Sequence, residues 1–135
     1  MKLVIDTSAW SVYLRRDNRS VTTPLYEIVE RFVTHDQVHL LGIVRHELLS
    51  GVSSPQQFER LSRALSGFPD ELATSDDHSE AAKFYNLCRA TGVQGSSIDF
   101  LICAIANRLQ APILTLDHDF FRYARHVPIR VLTTA

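Results

Sequence analysis

Short apolar runs alternate with helical stretches along this chain, and that pattern leaves few ways to fold it. LeuValIle at 3 to 5, Val38 to Leu41, IleLeuThrLeu at 113 to 116 and Ile129 to Leu132 each read as a strand, with a weaker one near Leu72. Strands separated by helices imply a mostly parallel sheet covered on both faces, an α/β architecture. With 135 residues, one hydrophobic core is expected and two ordinary domains are not, so residues 1–135 are read as one domain.

Helical periodicity fills the intervals. Leu25, Ile28, Val29, Phe32 and Val33 follow Pro24, which suits a first turn. From Ile43 a helix is expected to close at Gly51, and SerSerPro at 53 to 55 starts another towards Leu65. A helix with an acidic first turn begins at Ser75 and runs through Ala81, Phe84, Tyr85 and Cys88 to a break at Gly92 and Gly95. Ser96 to Leu109 carries the strongest apolar stripe, with Ile98, Leu101, Ile102, Ile105 and Leu109 on one side. Asp117 to Phe121 reads as a turn into a last helix.

Cys88 and Cys103 lack metal-type spacing and are expected to be buried free thiols. The longest apolar run, Phe100 to Ala106, is far shorter than a membrane span, so a cytoplasmic protein without membrane contact is expected. The formal net charge of -1 means that any nucleic acid must be gripped by local arginines rather than by a global positive field.

The residues that point to chemistry are acids. Ligands of open parallel sheets bind beyond the carboxyl ends of the strands, where Asp6 and Asp117 follow two of the apolar runs. Each also suits a helix N-cap. Asp99 shares a helical face with Ile102, Cys103 and Ala106, so burying it demands a partner, a proton or a cation; Ser96 with Asp99 is also spaced like a capping box. Glu47 lies in a helix whose packed side is set by Val44, Leu48 and Gly51, and a small rotation decides its burial. Asp119 is either a further member of the set or a dipole partner for the last helix.

Carboxylates converging at ~4 Å repel by about 4 kcal/mol per pair at an effective dielectric near 20, which a cation relieves. All-oxygen ligation favours Mg²⁺ or Mn²⁺ over zinc. The six histidines are scattered and expected mostly at the surface, with His46 and His118 adjacent in sequence to candidate acids.

Taken in order, IleAspThrSerAlaTrp at 5 to 10, ArgHisGluLeuLeuSerGly at 45 to 51, SerIleAspPheLeuIleCysAlaIleAla at 97 to 106 and LeuThrLeuAspHisAspPhe at 114 to 120 resemble the PIN-domain nucleases, in particular the VapC-type toxins of bacterial toxin–antitoxin pairs. The resemblance spans nearly the whole chain; Cys103 departs from it, standing where alanine is more usual. It implies a three-layer α/β/α sandwich and an endoribonuclease. Asp6, Glu47, Asp99 and Asp117 would surround one or two Mg²⁺ or Mn²⁺ ions, with Thr7 or Ser8 supplying a hydroxyl nearby.

Asp6, Asp99 and Asp117 are the expected metal ligands, Asp6 and Asp99 most directly. Asp117 and Glu47 would complete the site through water or a second ion, and one of them would take the proton of the attacking water. Arg15, Arg16 and Arg19, after Trp10 and Tyr13, form a candidate RNA-binding group if those rings are exposed; if the rings are core, the arginines are a solvated face. Arg122, Arg125 and Arg130 offer a second surface. The resemblance also implies a VapB-like antitoxin partner and a homodimer. A non-catalytic interaction module and a housekeeping RNA-processing nuclease are the competing readings. An aspartyl-phosphate enzyme is disfavoured because Ser8 stands where its second acid belongs.

Overall fold

The computed structural model describes residues 1–15 and 23–134. β1 (Leu3–Ile5) runs into α1 (Thr7–Leu14), and α2 (Pro24–Thr34) precedes β2 (Val38–Leu41). α3 (Gly42–Leu49) and α4 (Pro55–Leu65) lead to β3 (Asp70–Glu71); α5 (Ser75–Ala90) and α6 (Ser97–Leu109) lead to β4 (Ile113–Leu114); α7 (Asp119–Tyr123) precedes β5 (Val131–Leu132).

The strands form a parallel sheet in the order β3-β2-β1-β4-β5. β1 is central, with Leu3 opposite Val38 on one side and Val4 opposite Ile113 on the other. All three of its residues are buried, as a strand covered on both faces requires. The chain moves outward from β1 to β3, then returns to β1's other side as β4. The right-handed crossover rule therefore puts α1 to α4 on one face and α5 to α7 on the other. The packing follows that division: α1 lies against α2 and α3, α3 against α4, and α5 against α6. The expected three-layer α/β/α arrangement is thus present.

Local chemistry sets the helix starts. The Thr23 hydroxyl accepts from the Tyr26 N–H at 3.1 Å just before Pro24, and Ser54 caps α4 likewise. Thr74 and Asp77 close a full capping box on α5. α6 buries Phe100, Ile102, Cys103 and Ile105 and ends on Gln110, whose φ is 54°. Cys88 and Cys103 are free and buried, and burial pushes both thiols up.

Several boundaries differ from the sequence expectation. α3 begins at Gly42, one residue before the expected Ile43, and after the Ser50 cap Gly51, at φ 83°, closes it as expected. β3 stops before Leu72, whose side chain is exposed. β4 ends at Leu114; the Thr115 N–H still donates to the Leu132 carbonyl at 3.1 Å, and the Leu116 N–H turns away to Ser8 Oγ. No helix among the described residues is long and apolar enough to cross a membrane.

Candidate active site

The reversal of strand order lies between β1 and β4, the place where open α/β sheets form a crevice beyond the strand ends. Asp6 stands there, buried at 3% exposure, with its N–H donating to the Leu114 carbonyl at 3.1 Å. Its Oδ1 accepts from the Ser8 hydroxyl at 2.7 Å and the Ala9 N–H at 3.0 Å, and its Oδ2 accepts from the Thr115 hydroxyl at 2.5 Å. Asp6 is therefore the N-cap of α1 as well as a candidate site acid. The Thr115 oxygen also accepts from the Asp117 N–H at 2.9 Å, and Ser8 Oγ accepts from the Leu116 N–H at 3.0 Å. Thr115 ties the two strand-end acids together. Sequence reading passed over it, although a threonine inside an apolar run was the available signal.

Asp99 occupies the first turn of α6, where its N–H donates to Ser96 Oγ at 3.0 Å. Its Oδ2 accepts from the Tyr123 hydroxyl at 2.7 Å, a partner from α7 that the sequence did not disclose. The loop before α6 passes so close to this phenol that a Cβ on Gly95 would stand 2.6 Å from Tyr123 Oη. Glycine is required there for clearance.

Glu47 lies on α3, which Arg45 anchors through Asp70 Oδ1 at 2.6 Å and the Leu65 and Phe68 carbonyls. The Glu47 carboxylate is half-buried, and its Oε1 accepts from the Thr7 hydroxyl at 2.5 Å. Asp117 Oδ1 accepts from the Asp119 N–H at 2.9 Å, whereas the Asp119 carboxylate pairs outward with Arg122 at 3.0 Å. Asp119 thus sits in the first turn of α7 with a cationic partner of its own.

The four acids from β1, α3, α6 and the β4–α7 turn feel one another. Burial is the largest influence on Asp6 and lifts its carboxyl above the ordinary range; bonds from Thr115, Ala9 and Ser8 oppose this, and Asp117 repels it further. Burial likewise lifts Asp99, against Tyr123 and Ser96, with repulsion from Asp117 and Glu47. None of the ion pairs formed among the described residues involves these four acids.

A ledger of oxygens tests the fit to a cation. Among the described residues, Asp117 Oδ2, Glu47 Oε2 and one lone pair of Asp6 Oδ2 take none of the hydrogen bonds given above, and all are hard oxygen donors. Among the described residues, no three acids, histidines or thiols are gathered tightly enough to enclose an ion. Mg²⁺ keeps several waters and takes only one or two carboxylates, so its binding does not require a closed cage.

The expected RNA-gripping residues fare unevenly. Trp10 is buried and packs edge-on to Phe68 and Tyr13, so it is core and offers no stacking platform. Tyr13 is half-buried and stacks on Tyr26 with ring centroids 5.0 Å apart. Of the two alternatives for these rings, Trp10 therefore takes the core one. Arg15 is exposed, and its Nε donates to the Ser11 carbonyl at 3.2 Å; Arg16 and Arg19 lie outside the described residues. Arg122, Arg125 and Arg130 are exposed. His46 is exposed at the end of α3, and His118 is exposed before α7 with its ring near Phe121.

Solved structures share this fold. VapBC2 from Rickettsia felis, bound to a promoter DNA fragment, matches with a TM-score of 0.79 at 16% identity over 100% of both chains. FitAcB from Neisseria gonorrhoeae matches with a TM-score of 0.75 at 18% identity over 96% of each chain. VapBC-1 from nontypeable Haemophilus influenzae matches with a TM-score of 0.73 at 17% identity over 98% of each. At such identities the likeness establishes the fold. A search of curated protein sequences gave no match. The PIN domain model aligns with residues 3–126, nearly all of the chain, and its members are nucleases. With that match and a cluster of acids at the switch point of its sheet, the chain belongs to the PIN domain family.

Proposed function

We propose that this chain is a VapC-type toxin: an endoribonuclease that hydrolyses phosphodiester bonds in cytoplasmic RNA with Mg²⁺ or Mn²⁺ and is held in check by a VapB-like antitoxin. The observation that carries the reading is the approach of Asp6, Glu47, Asp99 and Asp117, none of which forms an ion pair among the described residues, so that burial and mutual repulsion lift Asp6 and Asp99. The VapBC complexes among the similar structures support the toxin role and the antitoxin partner. Homodimerisation is part of the same proposal, read out by the mass of the purified protein in solution.

Asp6 and Asp99 would hold the cation most directly, with Asp117 completing the site. A divalent ion there supplies a more acidic water and neutralises charge that builds on the phosphate oxygens. The chain's own residues do the rest. Ser8, Thr115 and the Ala9 N–H fix the Asp6 carboxylate, and Tyr123 fixes Asp99 through Oδ2. Thr7 pins one oxygen of Glu47, leaving Oε2 to accept the proton of the attacking water, a role Asp117 Oδ2 shares as the alternative. The water oxygen bonds to phosphorus as the bond to the leaving ribose oxygen breaks.

The deciding experiment is cleavage of total cellular RNA by purified protein, with Mg²⁺ or Mn²⁺ against chelator and wild type against Asp99→Asn. Discrete fragments that need both the ion and Asp99 are expected. Absence of cleavage together with absence of metal binding overturns the reading and leaves an interaction module.

A further inference from the structure

We propose that the hollow lined by Tyr85, Arg89, Val93, Gln94 and Gly95 seats a nucleotide of the RNA strand that neighbours the bond being cut. The inference rests on the nuclease reading and adds a substrate-binding site to it.

The hollow has a volume of about 340 Å³, within the range of small-molecule sites and large enough for a base. It forms where α5 ends: Gly92 turns the chain at φ 84°, and the Val93 N–H returns to the Cys88 carbonyl at 2.8 Å. Gly95 is the wall shared with the acid site. A Cβ at this position would lie 2.6 Å from Tyr123 Oη, and that oxygen holds Asp99 Oδ2 at 2.7 Å. One side chain therefore separates the hollow from a candidate metal ligand.

The lining suits single-stranded RNA. Tyr85 is braced edge-on against Phe100 at 5.8 Å, giving a fixed aromatic surface at the hollow. Arg89 and Gln94 are exposed, and among the described residues neither side chain has a hydrogen-bond or ionic partner, in contrast to Arg45, Arg108 and Arg122. A guanidinium fork matches a phosphate, an amide reads a base edge, and a ring stacks. Charge argues the same way. A polyanion crossing four carboxylates on a chain of net charge -1 needs a local cation beside them, and Arg89 provides one.

The test uses a single-stranded oligoribonucleotide that wild type cuts, with Arg89→Ala compared against Arg31→Ala. Arg31 is exposed and lines a hollow with Met1 and Gln37 at the opposite end of the strands. Arg89→Ala is expected to raise KM about fivefold or more with kcat within about twofold, and to lower the salt slope of binding by about 0.7, the value for one phosphate contact on a single strand. Arg31→Ala should change neither. Equal KM in the two variants, or the same shift in both, overturns the proposal, as does an Arg89→Ala effect confined to antitoxin binding. If wild type cuts no RNA, the nuclease reading has failed instead. Binding of a fluorescent oligoribonucleotide in chelator then still reads the hollow, and unchanged affinity for Arg89→Ala overturns it.

Discussion

Asp6 and Asp77 are both 3% exposed, yet their surroundings have opposite consequences. At Asp77, burial raises the carboxyl, but Arg108, with Nε 3.0 Å from each oxygen, and the Thr74 N–H at 2.9 Å outweigh it and hold the pKa down. At Asp6, hydroxyls and one N–H do not cancel burial, and the nearby charge is another acid. The Asp77 pair joins α5 to α6 and is internally neutralised. The strand-end acids have no such cation among the described residues, the contrast expected between a buried acid that serves the fold and a candidate ligand-binding one.

The sharpest way to break this comparison is to neutralise each acid. Asp99→Asn or Asp6→Asn should lower RNA cleavage by at least ~100-fold, since a metal ligand matters more than its supporting partners. The melting temperature should hold or rise, because a repulsion is removed at either position and, at position 6, asparagine still caps α1. A marked fall in melting temperature would place these acids with Asp77. Asp77→Asn should do the reverse, costing ~2 kcal/mol in denaturant unfolding, discounted because Arg108 is partly exposed, with cleavage per folded molecule unchanged.

Tyr123→Phe tests the support beneath Asp99. A weakening of Mn²⁺ affinity by about tenfold in calorimetry is expected, with ~1 kcal/mol of stability lost. Unaltered affinity would make the phenol a packing group alone.

The smallest effect is in the pH profile. Asp77 is depressed, so its stabilisation is present above its ordinary value of 3.8 and is lost as pH falls through its lower folded value. The deficit of Asp77→Asn should therefore vanish at the acid end of a denaturation series. Asp99 is raised, so ionising it in the fold costs stability as pH climbs from 3.8 through its folded value. Asp99→Asn should gain on wild type over that interval, and parallel curves would contradict the assignment.

The sequence disclosed what local pattern can disclose. A short buried strand ending in Asp6, an acid on the apolar face of α6 and the alternation of strands with helices were all legible, because each is written within a dozen residues. Thr115 and Tyr123 were not. They meet their acids across 109 and 24 residues, through strand pairing and helix packing that no local periodicity encodes. Trp10 illustrates the same gap: beside a run of arginines it reads equally as a binding ring or as core, and only its packing against Phe68 decides. Glu47 was ambiguous for want of one rotation, which the grip of Arg45 on the β3 side and of Thr7 on the carboxylate supplies.

Because β1 is central and pairs with β4, the bond from Thr115 to Asp6 cannot form while the ribosome is still working upstream of residue 115. The nascent chain meanwhile carries β1 without one of its two neighbours, and Asp6 without its Oδ2 donor. Any chemistry that depends on Asp6 held in this way therefore waits on the synthesis of residue 115 and on the docking of β4 beside β1.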